Sequence, residues 1–203
     1  MIPRPISQMR MMLLHAMILP DKGGYTVGIG EMNPEIVWEF SRLINSRKLH
    51  PVLWGPCAGH TGRSRSQDTC AAAKIRLISY DLQPSDWRVQ CMDSTKVGPD
   101  EEIGGMIFHP PYFGCIPFSD HEGEISQKGR LSYIEELNKI VTNCKNAMKP
   151  GGLVCAVGRD YQMHGKPIRL SEWYTELFVL AGFELETAWT TLPDFVLIFR
   201  RLT

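Results

Sequence analysis

The tetrapeptide His109-Pro110-Pro111-Tyr112 carries the most chemical content in this sequence. Two consecutive prolines remove two backbone donors and hold the chain extended, which leaves the carbonyls there to act as acceptors. Tyr112 follows directly and offers a flat aromatic face. Acceptors beside such a face suit a planar heterocycle with an amino group, as presented by a base swung out of its helix. The lone pair of that nitrogen is delocalised into the ring, and acceptors that draw the nitrogen toward tetrahedral geometry free it to receive a methyl group. A second reading stays open, in which the prolines make a rigid turn out of a sheet and Tyr112 lies in the core.

Further candidates precede this motif. Pro56-Cys57-Ala58-Gly59-His60-Thr61-Gly62 is a short glycine-bearing loop whose two glycines let backbone approach a ligand. Asp81, followed by Leu82, lies about 20 residues beyond the glycines, where a dinucleotide-type fold places a carboxylate that bonds both ribose hydroxyls. Asp93, followed by Ser94, ends another apolar run and is placed to accept from an adenine amino group. Together they describe a pocket for an adenosine moiety. Each carboxylate taken alone could equally be a residue that ends a strand.

These positions make sense if they share the carboxyl edge of an open α/β sheet, where ligands bind. Asn33-Pro34 and the apolar spacing through Ile44 predict a capped helix ending near Ser46-Arg47. His50 to Trp54 reads as a strand, and Ser64 to Lys74 as the helix after the glycine loop. Strands follow at Ile75 to Tyr80, Arg88 to Met92 and Met106 to Phe108. A loop from Phe113 to Arg130 leads to a helix marked by Tyr133, Leu137, Ile140, Val141 and Cys144, closed by Lys149-Pro150-Gly151-Gly152. The strand Leu153 to Val157, a helix capped by Ser171, and the strands Phe183 to Thr190 and Phe195 to Arg200 complete the order. Six or seven strands alternating with helices imply a mostly parallel sheet, with an antiparallel pair at the end.

A length of 203 residues fits one domain: residues 1-29 read as an N-terminal extension and 30-203 as one catalytic domain without a separate target-recognition domain. Lys and Arg total 22 against 22 Asp and Glu, so any basic surface must be local. Six scattered cysteines, with no C-x-x-C pair, read as reduced thiols of a cytoplasmic protein, and no metal site is expected. Met11 to Pro20 reads as a packed helix, because His15 interrupts it and no cleavage site follows. No run of ~18 apolar residues exists to span a membrane.

The ordered set Pro56 to Gly62, Asp81, Asp93, His109 to Tyr112 and Lys149-Pro150-Gly151-Gly152 resembles the class I S-adenosylmethionine-dependent amino-methyltransferases that act on N4 of cytosine or N6 of adenine. The resemblance extends from about Gly30 to the C-terminus. It implies a Rossmann-like, seven-stranded sheet, S-adenosylmethionine as cofactor, and a place for Glu31 and Asn33 beside its methionine part. Pro56, Cys57, Ala58, Gly59, Thr61 and Gly62 are similar to the family's P-F-A-G-S-G-T loop, and His109 to Tyr112 occupy its [D/N/S]-P-P-[Y/F/W] motif. His109, where Asp, Asn or Ser is usual, is implied to touch both cofactor and target, with the Pro110 carbonyl as second acceptor. Trp54 stands where the family commonly has an acidic residue at the end of the first strand, and Glu31 could replace that acid.

The implied partner is nucleic acid, DNA first because the motif resemblance is to DNA enzymes, with RNA as the alternative. A silent methyltransferase-like subunit that binds nucleic acid is a further alternative. Arg63, Arg65, Phe113, Arg159, Lys166 and Arg169, with His164 nearby, are the candidates for contact with the strand. Ordinary solvated charge is the competing reading for each basic group. The residues do not decide cytosine against adenine, or the oligomeric state.

Overall fold

The computed structural model describes residues 32–59, 64–115, 117, 119–191 and 193–203. The first helix, α1 (Pro34–Ser46), starts as expected. Pro34 occupies the first turn, where its missing N–H costs nothing, and the Asn33 side chain accepts from the Glu35 backbone at 2.9 Å. After α1 come β1 (Val52–Gly55), α2 (Arg65–Ala72), β2 (Arg76–Asp81), β3 (Gln90–Cys91) and β4 (Ile103–Phe108). The chain continues through α3 (Arg130–Ala147), β5 (Met148–Gly158), β6 (Tyr161–Met163), β7 (Lys166–Ile168), α4 (Leu170–Leu180), β8 (Phe183–Thr191) and β9 (Asp194–Arg201).

Seven strands form one sheet in the order β3-β2-β1-β4-β5-β9-β8. β1 pairs in parallel with both β2 and β4, β4 pairs in parallel with β5, and β9 runs antiparallel between β5 and β8. This is the expected seven-stranded, Rossmann-like arrangement with an antiparallel last strand. Alternation along the strands sends successive side chains to two cores, as the pleat requires. Trp54, Ile78, Met106, Phe108, Val154 and Ala156 pack with Tyr133, Leu137, Val141 and Phe178 of α3 and α4. Leu53, Leu77, Ile107 and Cys155 pack on the other face with Val37, Phe40 and Ile44 of α1 and Cys70 of α2.

The structure differs from the sequence reading in several places. β1 ends at Gly55 rather than Trp54, so the strand-terminal position is glycine. Trp54 is fully buried, with its ring edge-on to Tyr80 at 5.9 Å. β4 begins at Ile103, three residues earlier than expected; Gly104 and Gly105 belong to the strand, because a Cβ on Gly104 would collide with the His50 carbonyl. β5 begins at Met148, so Lys149-Pro150-Gly151-Gly152 is part of an irregular strand start beside a register shift with β4. The hairpin β6–β7 was not expected at all. His164 and Gly165 at its tip both have positive φ, 49° and 73°, the pattern of a two-residue turn that matches strand twist.

Ser171 does not cap α4 through its own side chain. The helix begins at Leu170, and the Asp160 carboxylate does the capping: it accepts the Ser171 backbone N–H at 2.9 Å and the Ser171 hydroxyl at 2.7 Å. Among the described residues, no helix is long and apolar enough to cross a membrane.

Candidate functional site

The strand order decides which chain segments meet at the carboxyl edge. β1 lies between β2 and β4, with its neighbours' connections leaving in opposite directions, and this reversal is where open α/β sheets bind ligands. The loop after β1 turns at Gly59, whose φ of 83° suits glycine. Its backbone N–H donates to Asp81 Oδ2 at 3.1 Å, and Ala58 N–H donates to the Tyr80 carbonyl at 3.0 Å. Asp81 Oδ1 accepts from the Gln83 backbone at 2.9 Å. The expected convergence of Asp81 and the glycine turn is therefore present, and Leu82 lies half-buried beside it.

β3 brings Asp93 to the same edge. The buried Ser94 hydroxyl donates to the Pro56 carbonyl at 2.5 Å and ties the end of β3 to the end of β1. Asp93 Oδ1 accepts from the Thr95 backbone at 3.0 Å and hydroxyl at 2.7 Å, while Lys96 lies 3.1 Å from Oδ2. Burial raises the pKa of Asp93, but these bonds outweigh it and hold the carboxyl below its ordinary value. Cys57 lies among the charges. Burial first, then Asp81, Glu124 and Asp93 in turn, push its thiol well up, so it stays protonated and is no nucleophile.

Glu124 is a residue that the sequence reading missed. It sits in the loop after Tyr112, where Gly123 lies against Asp93 Oδ2 and the Ser126 backbone donates to Glu124 Oε1 at 2.6 Å. No spacing rule picks it out of a loop rich in charge. Glu31, His60, Thr61, Gly62 and Arg63 lie outside the described residues. Asn33 uses its side-chain oxygen to cap α1.

At the end of β4, on the other side of β1, Pro110 is buried and Pro111 half-buried. Tyr133 donates to the Pro111 carbonyl at 2.9 Å, whereas the Pro110 carbonyl has no partner among the described residues. His109 Nε2 and the Tyr112 hydroxyl are 3.1 Å apart, and their rings meet edge-on with centroids 5.6 Å apart. Burial pushes the His109 pKa from its usual 6.5 down to about 4; Asp194 raises it and Arg159 lowers it by smaller amounts. The imidazole is therefore neutral near pH 7, with one donor and one acceptor nitrogen. Burial also raises the Tyr112 phenol well above its usual value, so it keeps its proton. Tyr112 is half-buried and packs against the core that α3 and α4 share with the sheet.

The proposed strand-contacting groups are engaged within the protein to different degrees. Arg159 Nε lies 2.9 Å from Asp194, and Arg169 lies 3.9 Å from Asp160. Phe113 packs against the Tyr133 and Trp173 rings at 5.5 and 5.6 Å, so its ring has a packing role. Lys166 is exposed on the hairpin. Arg65 opens α2 beside the glycine loop. Cys57 and Cys115 are half-buried, Cys91 is exposed, and the remaining three thiols are buried; all are free.

No family model matches the chain, and neither does any curated protein. Solved structures do. The chain is similar to the Burkholderia thailandensis 1,6-didemethyltoxoflavin-N1-methyltransferase, a structure with bound 1,6-didemethyltoxoflavin and S-adenosylhomocysteine, at 16% identity over 83% of this chain and 79% of that one, with TM-score 0.54. It is similar to an S-adenosylmethionine-dependent methyltransferase from Clostridium acetobutylicum at 8% identity over 97% of this chain and 100% of that one, with TM-score 0.52. TrmN from Thermus thermophilus matches at 14% identity over 84% of this chain but 49% of its own, with TM-score 0.52. At these identities the likeness is one of fold. The chain has the fold of the class I S-adenosylmethionine-dependent methyltransferases, and that likeness does not extend to a particular substrate.

Proposed function

We propose that this protein transfers a methyl group from S-adenosylmethionine to an exocyclic amino group of a nucleic-acid base, with DNA as the first substrate. One observation carries the reading. The Gly59–Asp81 bond at the ends of β1 and β2, and the His109–Tyr112 pair at the end of β4, lie on adjoining strands of one sheet edge. On this reading a cofactor half and an acceptor half stand side by side.

The residues present fit the cofactor. Asp81, already organised by two backbone donors, retains acceptor capacity for a ribose diol, since an ionised carboxylate has about four lone-pair sites. Asp93 Oδ2, in contact with Lys96, keeps lone-pair capacity to accept from an adenine amine. When bound, the cofactor supplies an electrophilic methyl group. The chain supplies position and hydrogen-bond acceptors. With Nε2–H donating to the Tyr112 oxygen, Nδ1 of His109 is the unprotonated acceptor, and the Pro110 carbonyl is the second. Two acceptors on the amine hydrogens localise the lone pair on nitrogen. DNA comes first because His109 to Tyr112 resemble the motif of the DNA amino-methyltransferases.

The test is incubation of DNA and RNA with labelled cofactor, followed by mass spectrometry of the nucleosides. Label on an N-methylated adenine or cytosine from DNA is expected. Label found only on RNA bases would move the substrate, and undetectable cofactor binding would favour a silent methyltransferase-like subunit. Asp81→Ala is expected to weaken S-adenosylmethionine binding by about 1–3 kcal/mol, because charge-assisted bonds are lost and two backbone donors are left without their acceptor. Calorimetry reads this directly, and an unchanged Kd would remove Asp81 from the cofactor site.

A further inference from the structure

The carbonyls of Pro111, Tyr112 and Phe113 each have a donor within the chain. Tyr133 donates to Pro111 at 2.9 Å, the Cys115 backbone N–H donates to Tyr112 at 3.2 Å, and the Tyr161 hydroxyl donates to Phe113. The Pro110 carbonyl has no donor among the described residues, although Pro110 itself is buried. Buried backbone acceptors are rarely left without a partner, so this one calls for a donor from outside the chain.

The tie at Pro111 comes from a side chain with little freedom. Tyr133 stands near the start of α3 with 0% exposure. Its ring packs against Phe113 and Trp173, with centroids 5.5 and 6.4 Å away. Burial pushes the phenol well above its usual pKa, so the hydroxyl keeps its proton and acts as the donor.

Backbone geometry carries this tie one residue back. Proline fixes φ at about −65°, and a residue before proline is confined to extended conformations, which describes both His109 and Pro110. At about three residues per turn, successive carbonyls are turned by roughly 120° about such a chain. A Pro111 carbonyl held on Tyr133 therefore sends the Pro110 carbonyl in another direction, and any rotation of the motif breaks the Tyr133 bond.

We propose that Tyr133 is a positioning residue: by holding the Pro111 carbonyl against α3 it fixes the rotation of the motif backbone and aims the Pro110 carbonyl at the reacting amine. The role of that carbonyl rests on the methyl-transfer reading, whereas the tie itself can be observed without turnover. Tyr133 was visible in the sequence only as one apolar position of a helix. Its hydroxyl meets Pro111 only in the folded chain.

Pro111-Tyr112 is the only Pro-Tyr dipeptide in the sequence, so whole protein labelled with carbonyl-13C proline and 15N tyrosine gives a single carbonyl-to-amide correlation in the HNCO spectrum. Tyr133→Phe keeps the ring and removes the donor. Its Pro111 carbonyl resonance should move upfield, and its kcat should fall by at least about 10-fold, within the range expected of a misplaced acceptor. S-adenosylhomocysteine should bind within about 2-fold of wild type, which also shows that the variant is folded. Tyr133→4-aminophenylalanine restores a donor at the same place and should bring kcat back to within about 3-fold. Ser41→Ala removes a comparably buried hydroxyl bond, 2.8 Å to Val37 in α1, and should alter neither the resonance nor kcat. An unmoved resonance in Tyr133→Phe overturns the proposal, as does a moved resonance with normal turnover or an equal loss of kcat in Ser41→Ala. Those outcomes leave wild-type methyl transfer intact. If the wild type methylates no base in DNA or RNA, the transferase reading falls instead and takes the acceptor role of Pro110 with it.

Discussion

Tyr112→Ala is expected to lower kcat by about 100-fold while S-adenosylmethionine binds within about 2-fold of wild type. The substitution removes the stacking face and also frees His109, whose Nε2 lies 3.1 Å from the Tyr112 hydroxyl. A misplacement of about 1 Å in a reacting group costs on the order of 10²-fold in rate, and here both the target and its acceptor lose their support. Tyr112→Phe separates the two contributions: the ring stays and only the tether to His109 goes, so its loss should be distinctly smaller. Steady-state kinetics with calorimetry in parallel decide the matter. Normal turnover by Tyr112→Ala would return Tyr112 to a structural role.

The same pair sets an expected pH dependence. Burial holds the His109 pKa at about 4, below its ordinary 6.5, so turnover should not titrate near pH 6.5 but should fall toward pH 4, where Nδ1 gains a proton and ceases to accept. Stability has a matching sign. As the pH drops through 6.5 the unfolded chain takes up a proton that the folded chain refuses until about 4, so His109 destabilises the fold progressively across that window and no further below it. His109→Asn, which keeps an acceptor and cannot titrate, should abolish this share of the acid loss. An acid limb in turnover centred near pH 6.5 would show that the imidazole is not buried in the working enzyme.

Asp86→Ala is expected to cost about 3 kcal/mol of stability, read as a lower midpoint in urea at unchanged slope. Asp86 is buried at 7% exposure, and it accepts from Arg88 at 2.6 and 3.0 Å and from the Ser64 backbone at 2.7 Å. Arg88 continues to Asp68 at 2.7 Å and to the Ser64 carbonyl at 3.3 Å, so the cluster pins the first turn of α2 to the loop before β3. Breaking a buried pair by removing one partner costs about 3–5 kcal/mol; the lower end applies because the Arg88 side chain is 23% exposed and keeps Asp68. The Arg88 hydrogen bonds hold the Asp86 carboxyl far below the ordinary 3.8, with burial opposing them. Its contribution is therefore complete at neutral pH and disappears as the pH falls below the usual carboxylate range. Ser64 is the N-cap of α2, directly after the glycine loop, so cofactor affinity should fall along with stability. A stability change below about 1 kcal/mol would mean that the cluster is solvated surface.

Sequence alone determined the order of the seven main-sheet strands and their helices, the parallel sheet with its antiparallel end, and the positions of Asp81, Asp93 and His109-Pro110-Pro111-Tyr112 at or just beyond strand ends. Those features are local: alternation with period two, helix caps such as Asn33-Pro34, and the termination of apolar runs by charge or proline are written within a few residues of where they act. Tertiary structure alone decided that Glu124 stands beside Cys57 with Asp81 and Asp93, that Asp160 caps α4, that Asp86 and Arg88 brace α2, and that Tyr161 faces Tyr112. Each of these relations joins residues on different elements, and their separation is set by strand order and by how loops fold back on the sheet edge. Gly104 shows the same physics in the backbone. It lies outside the strand expected at Met106 to Phe108, yet it belongs to β4, which passes there too close to His50 for any side chain.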